Sequence, residues 1–502
     1  MHRSLTWVLF AALASVAPFV TAAGQRPVGA PPAVARAEFA ARRVALASAL
    51  VGDGVILALG GREPREDYVS FFQATNFYYL TGMREPDAAL VGVKQGASVA
   101  WTVFVQPKEP SREVWTGNRV GPENAEATWG VRGRSMAELD AVVDSLLRAS
   151  VAPTLQVVAD LGFANRLTLD DQYIAAVKLR VPALPVRNIA REVGKLRAYK
   201  SDAELALITR ATTITVVAHA DAAKAVKADG FEYEVQADLE RAFRRQGAER
   251  PSFSSIVGSG PNGTTLHYNA NNRQMKRGEM VVVDIGASFD GYAADMTRSY
   301  PVGGQFTLEQ RAVYQVVRDA QAAAERQARG GRRAGLMSDS SNAVLAAGLA
   351  RLGLIESPDA TYDCSADGKS QCKQYRLFYM HGLGHGIGLE VHDPDRYEVD
   401  GTLQPGSVFT IEPGIYVREN VLDVLPKTER NSALSAKLAA AVRRFRNIGV
   451  RIEDDYLIAR DGSLEWLTKS PREIREIEAA MRAASSRGSR GQSRCKPALK
   501  DK

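Results

Sequence analysis

Residues 280–301, MVVVDIGASFDGYAADMTRSYP, hold two strand-like runs joined by Asp290-Gly291. An Asp-Gly pair between such runs tolerates the positive φ angles that a two-residue hairpin turn requires. With the turn placed there, Phe289 faces Tyr292, and counting back sets Gly286 opposite Asp295. Asp284 and Asp295 then become diagonal neighbours on one face of the hairpin. Two ionised carboxylates this close repel, so inside a fold they imply a shared proton or a bound cation.

Three further segments add chemistry of the same kind. In residues 378–393, FYMHGLGHGIGLEVHD, an extended chain points positions 381, 383 and 385 the same way. The interleaved glycines argue against a helix, and no Glu occupies the position that a helical HExxH metal motif needs. No helix pattern follows the glycines, which removes a phosphate cradle as well. Glu412 in SVFTIEPGIYV and Glu453 in NIGVRIEDDYLI each end an apolar, β-branched run. Burying an isolated carboxylate costs roughly several kcal/mol unless it finds a cation, a donor or a proton. Taken singly, each residue has a plain structural reading: a turn or ion-pair Asp, a satisfied loop His385, a solvated strand-end Glu453. Conjunction changes this, because four of the six histidines (His267, His381, His385, His392) share the half that holds the four acids.

The segments TTLHYNANN (264–272), VVVDIGASFDGYAADMTRSYPV (281–302), HGLGHGIGLEVHD (381–393), TIEPGIYV (410–417) and GVRIEDD (449–455) resemble, in order, the motifs of the aminopeptidase P and prolidase group of pita-bread metallopeptidases. Upstream, NFYYLTGMREPDAAL (76–90) and REVWTGNRVGPENA (112–125) are similar to that group's amino-terminal domain. The resemblance implies a dinuclear site, with Asp295 and Glu453 bridging two divalent ions, Asp284 chelating one, and His385 with Glu412 holding the other. Four carboxylates and one imidazole suit manganese, cobalt, iron or zinc, and the family favours manganese. It also implies that a water shared by the ions serves as a hydroxide nucleophile. Glu412 would shuttle its proton to the leaving proline nitrogen. His381 and His392 would polarise the carbonyl or steady the oxyanion, and His267 would line the substrate pocket. Tyr416 and Arg451 are candidates for the rim, against readings as a packed strand aromatic and a surface cation. The implied partners are peptides with proline at the second position, in a homo-oligomer. The nearest alternative is a prolidase cleaving Xaa-Pro dipeptides; a metal-free peptide-binding or creatinase-like protein is the more distant one. A methionine aminopeptidase would not need so long an amino-terminal domain.

Composition bounds the rest. At 502 residues, 45% hydrophobic and 24% charged, the chain can hold two domains of ordinary globular character. Arg3, the apolar run Leu5 to Val20 and the small residues Val20-Thr21-Ala22-Ala23 read as a cleaved signal peptide over 1–23, and hence export. No other segment is apolar and long enough to suggest stable membrane insertion. Residues 24–34 read as a loose mature terminus. Cys364 and Cys372 could pair in an oxidising compartment, with free thiols or a metal site as the alternatives, and Cys495 is left over. Of the net charge of +7, Arg3 and the seven Lys or Arg against one Asp in 482–502 account for all, leaving the body near neutral. This gives no reason to expect a nucleic-acid partner, and 482–502 reads as a basic disordered tail.

The expected architecture is α+β: a smaller mixed α/β domain over 35–194, then a pita-bread catalytic domain over 195–481. In the first, 35–50 reads as a helix, and VILALG, NFYYLTG, LVGV and WTVFV as strands. The capping box Ser201-Asp202-Ala203-Glu204 opens a long helix to about Lys227. Helices over Tyr233 to Arg245 and Leu308 to Ala328, and one opened by Pro471, follow. The family pattern has acids where this chain has Ala74 and Asn76. The helical segment NSALSAKLAAAVRRFRN (431–447) and the cysteine loop look like insertions that could frame the cleft.

Overall fold

The computed structural model describes residues 26–27, 29–66, 69–150, 153–160 and 167–491; the proposed leader and Cys495 lie outside them. The amino-terminal half is built on β1 (Gly54–Leu59), β2 (Ala89–Gln95), β3 (Ser98–Val105), β4 (Arg132–Ser135), β5 (Leu155–Val158) and β6 (Val186–Asn188). They form one mixed sheet in the order β4-β3-β2-β1-β5-β6. Alternation along β1 explains its unbroken apolar run. Val55 and Leu57 pack towards Leu139, Val143 and Leu147 of the helix Leu139–Ala149, while Ile56 and Ala58 pack towards Leu46, Phe77 and Leu80. A sheet covered on both faces needs apolar residues at every position.

One expected strand is a helix. TNFYYLT folds as the helix Thr75–Thr81, closed by Gly82 in the left-handed conformation at φ 69°. Aromatic, β-branched composition favours extended chain, but tertiary packing overrides it. Phe77 and Leu80, three residues apart, bury on one side, and the terminal carbonyls of Tyr79 and Leu80 accept from Arg42 and Arg43 of the helix Arg36–Ala49.

The capping box at Ser201 and Glu204 is present and opens the helix Asp202–Ala225, followed by the helix Glu232–Arg245. Beyond them come β7 (Arg250–Pro251), β8 (Ile256–Ser259), β9 (Met280–Ile285), β10 (Ala287–Phe289), β11 (Tyr292–Ala293) and β12 (Met296–Pro301). The hairpin register is the one the turn dictates: Phe289 pairs Tyr292, and Thr297 pairs Asp284. Asp290 and Gly291 both carry positive φ, 54° and 86°. The ladder kinks at Gly286, where a Cβ would stand 1.8 Å from the Ala294 carbonyl oxygen, so only glycine fits.

The later strands are β13 (Thr361–Asp363), β14 (Gln371–Lys373), β15 (Val408–Ile411), β16 (Gly414–Tyr416), β17 (Gly449–Arg451), β18 (Asp454–Ile458) and β19 (Leu464–Trp466). All strand pairs from β7 onward are antiparallel, and a bridge between Thr297 and Glu453 joins the hairpin to the β17–β18 corner. The helix Leu308–Gln327 lies behind this surface beside Gly335–Arg351, a helix whose Ser- and Gly-rich sequence gave no periodic signal. The described residues from Pro31 onward form one compact unit.

At the periphery the expected cysteine pairing is found, whereas the last helix and the framing of the cleft differ from the sequence reading. The last helix runs Ile474–Gly491, past position 482 where the sequence reading begins the basic tail. Cys364 and Cys372 form a disulfide across the β13–β14 hairpin. That hairpin braces the insertion helix Glu429–Phe445 through paired hydrogen bonds between Asp363 and Asn431, and neither lines the cleft. No helix among the described residues is long and apolar enough to cross a membrane.

Candidate active site

The concave face of the catalytic half holds a cavity of about 550 Å³ lined by Asp284, Asp295, His381, His385, Glu412, Arg451, Glu453, His267 and His392 among others. Asp284 is the last residue but one of β9, Asp295 stands at the kink before β12, Glu412 follows β15, and Glu453 turns the corner from β17 to β18. His385 is brought in by its glycine-rich loop. Its backbone pairs with Thr410 of β15 so closely that a Cβ on Gly384 would fall 2.0 Å from the Thr410 carbonyl oxygen. The loop is not the regular extended segment that alternation suggested. Leu383 turns into the core while His381 and His385 face the cavity.

The tautomer of His385 is fixed by its surroundings. Nδ1 sits 3.1 Å from the Gly386 carbonyl, which can only accept, so the proton is on Nδ1 and the Nε2 lone pair faces inward. It meets Asp295 Oδ2 at 3.5 Å, Glu412 Oε1 at 3.6 Å and Glu453 Oε1 at 3.9 Å. An unprotonated nitrogen facing three carboxylates has no donor to satisfy it. Asp284 Oδ1 and Asp295 Oδ1 are likewise buried without a hydrogen-bond partner. Acceptors that converge without a donor fit a cation, and oxygens with one imidazole fit a hard or borderline divalent ion. Without one, burial and then Glu453 and Asp284 push Asp295 far above the carboxylate range. Burial, Glu412 and Asp284 do the same to Glu453, and burial pushes Glu412 up to about 8.

A second chain of contacts runs behind these ligand candidates. Arg451 Nη1 donates to the Tyr416 hydroxyl at 2.8 Å, which lies 2.8 Å from His381 Nε2. His381 Nδ1 is 2.8 Å from the Gly382 carbonyl. One assignment satisfies all three: the guanidinium donates to the phenol, the phenol to Nε2, and Nδ1–H to the carbonyl. His381 is therefore held neutral, and burial with Arg451 nearby lowers its pKa to about 3. Both of its nitrogens are engaged, so it offers no free N–H to an oxyanion. His392, its ring tilted 4.1 Å from that of His385, and His267 are the exposed imidazoles on the cavity wall. Arg451 is 4% exposed, which overturns the surface-cation reading, and Tyr416 is fully buried behind the wall rather than on its rim.

The family model for metallopeptidase family M24 matches residues 206–460, and that for the aminopeptidase P N-terminal domain matches 39–154. Over 466 residues the chain is 31% identical to Xaa-Pro aminopeptidase of Escherichia coli (strain K12), covering 90% of this chain and 99% of that one. The chain belongs to metallopeptidase family M24, in the aminopeptidase P group. It is also 31% identical over 463 residues to Xaa-Pro dipeptidase of Homo sapiens, covering 85% of this chain and 89% of that one. The solved structure of E. coli aminopeptidase P with the inhibitor Pro-Leu matches at 30% identity and a TM-score of 0.76, covering 91% of this chain and all of that one. The α+β plan, with a pita-bread domain behind a creatinase-like one, follows, and the protein is a metal-dependent hydrolase that takes divalent ions.

Within this M24 site several residues escaped the sequence reading. Thr297 donates to Glu453 Oε2 at 2.7 Å and accepts from Arg451 Nε at 3.1 Å, and Ser299 bonds the Arg451 backbone. Period-two alternation from Asp295 could have found both. Asp455 accepts from the Asp295 amide and the Thr212 hydroxyl, both at 3.2 Å, and burial raises it to about 8. Nothing in EDD marks which acid faces the helix Asp202–Ala225. At the departure from the family pattern, Asn76 accepts from Arg197 at 2.8 Å, and Arg197 pairs with Glu390 and Asp393 on either side of His392. The amide therefore keeps a contact to the histidine loop without adding charge.

Proposed function

We propose that this chain is an exported, dinuclear metalloaminopeptidase that removes an N-terminal residue preceding proline. What carries the reading is the Nε2 lone pair of His385 and the four carboxylates converging on one cavity. Asp284, Asp295, His385, Glu412 and Glu453 are the proposed ligands, manganese the proposed metal, and bound ions would supply Lewis acidity and a lowered pKa for water. Arg451 fixes Asp284 through Nη2 at 2.5 Å, and Thr297 fixes Glu453, so two of the carboxylates are oriented in advance. Glu412 faces the cavity with Oε2 3.5 Å from His381 Nδ1, a position from which it can take a proton from the attacking water and return it to the proline nitrogen. His392 and His267 are placed to donate to the substrate carbonyl, and His381 to hold the Tyr416 phenol in register.

One feature favours the aminopeptidase over the prolidase reading. A dipeptide substrate carries a carboxylate one residue past the scissile bond and needs a free cation there. Among the described lining residues the one guanidinium or ammonium is Arg451, already committed to Asp284, Thr297, Tyr416 and the Leu266 carbonyl. A longer peptide presents a neutral amide instead. The test compares Gly-Pro with Gly-Pro-Gly-Gly: the longer peptide should be the better substrate, and cleavage of the dipeptide alone would refute this choice. Less than one equivalent of metal after reconstitution, or full activity in Glu412→Ala, would refute the metallopeptidase mechanism.

The remaining parts of the reading rest on sequence. A boundary near Lys195 between the two domains agrees with the gap between the two family matches. Export by cleavage after the leader, and assembly as a homo-oligomer, are tested by mass spectrometry of the exported protein and by its sedimentation.

A further inference from the structure

One wall of the cavity is a loop, residues 259–273, that brings Leu266, His267 and Asn269 to the cavity. Its working part has no backbone ladder. Residues 266–272 make no backbone-to-backbone hydrogen bond among the described residues. Such a segment is ordinarily mobile, yet here side chains tie it to one ridge of the helix Glu232–Arg245. Glu232, fully buried at the first position of that helix, accepts at the loop's entry from the Ser259 amide and hydroxyl, both at 2.7 Å. It accepts in the middle from the Tyr268 hydroxyl at 2.8 Å and at the exit from the Arg273 amide at 2.9 Å. One turn on, Gln236 accepts from Asn271 at 2.9 Å, and one turn further Glu240 accepts from Ser255 at 2.9 Å. The three acceptors stand four residues apart, which puts them in one row along a helix.

We propose that Glu232 is a positioning residue for the reaction. By gripping both ends of the loop and Tyr268, the neighbour of His267, its carboxylate fixes the side from which His267 meets the peptide. His267 is exposed and makes no hydrogen bond of its own to the protein among the described contacts, so its direction comes from the backbone that Glu232 holds. The acids that line the cavity are the proposed metal ligands; Glu232 lies outside the lining, buried behind the loop it holds. The inference rests on the proposed role of His267, whereas the tether does not.

The experiment uses the metal-loaded full chain. In Glu232→Gln the amide group must face donors on one side, and the expected result is a KM for an Xaa-Pro peptide about tenfold higher with kcat within about threefold, since uniform binding is what a misplaced pocket residue loses. Amides of residues 259–273 should exchange faster with deuterium, while metal content stays the same. His267→Ala should raise KM alike, and adding Glu232→Gln to it should raise KM no further, because two residues acting through one contact are not additive. Should Glu232→Gln fold poorly, Tyr268→Phe, which removes one donor, carries the test with a KM rise of about threefold. Unchanged exchange in the loop overturns the proposal, as does multiplication of the two KM effects. A silent His267→Ala, with loop exchange still accelerated in Glu232→Gln, would instead overturn the role given to His267.

Discussion

The metal-free protein should lose stability as pH rises from 6.5 to 8.5, and metal should remove the part of the loss that its carboxylate ligands contribute. Glu412 has a folded pKa of about 8 against an ordinary 4.5, because it is buried. A carboxyl raised in this way contributes stability that is full below about pH 4.5 and lost as pH climbs through about 8, since the folded state must shed a proton it holds tightly. Over the chosen window the loss is roughly 2 kcal/mol for Glu412. Asp455, pushed from 3.8 to about 8, behaves in the same way and adds a similar amount. His381 and His385, lowered by burial to about 3 and 4, lose stability only below their ordinary 6.5, so the window excludes them. The assay is thermal unfolding of chelator-treated protein at the two pH values, with and without Mn²⁺. Glu412→Gln should reduce the metal-free dependence while leaving the parts that Asp295, Glu453 and Asp455 contribute. A metal-free melting temperature that is the same at both pH values would show that these carboxyls are not held protonated, and the account of the site's electrostatics would be wrong.

Metal loading near pH 7 should release protons, read as a dependence of calorimetric heat on the buffer's ionisation enthalpy; zero release would contradict the raised pKa values of Asp295 and Glu453. Tyr416→Phe removes the hydroxyl between Arg451 and His381, and is expected to lower kcat about tenfold at a stability cost of about 1 kcal/mol, measured by steady-state kinetics and urea unfolding. Replacing Cys364 and Cys372 by Ser should cost about 2–3 kcal/mol in denaturant unfolding and leave kcat/KM unchanged, because their hairpin stands off the cavity. Gly286→Ala should not yield soluble protein, since its Cβ would meet Ala294 O at 1.8 Å and Ser252 Oγ at 2.3 Å.

The legible parts of this fold were those set by local rules. Asp290-Gly291 dictated the hairpin register, and with it the pairing of Thr297 with Asp284, because a two-residue turn leaves no freedom in the count. Ser201 and Glu204 marked the start of a helix because their side chains cap it directly. What stayed hidden depends on partners distant in sequence. The helix Thr75–Thr81 exists because Arg42 and Arg43 receive its last carbonyls, and no pattern inside TNFYYLT announces that. The engagement of His381 Nε2 needed Tyr416 and Arg451 in place, 35 and 70 residues further along the chain.

The charges of the site make a further argument for two cations. Asp284, Asp295, Glu412 and Glu453 bring four negative charges when ionised, and Arg451 cancels one, with His381 and His385 held neutral by burial. One divalent ion would leave a net charge of −1 among groups that are 7% exposed or less at Asp284, Asp295 and Glu453. Two would leave +1, which is the charge a water cancels when it loses a proton. A buried site at balance is the less costly one, because desolvation penalises net charge steeply. On this count, with two ions bound, Arg451 would tune how readily a proton leaves a water held by them. Arg451→Met, which removes its charge and strands Asp284, should therefore shift the acidic limb of the kcat/KM profile as well as lower the rate. A profile unmoved by that substitution would mean that Arg451 serves only to orient Asp284 and Tyr416.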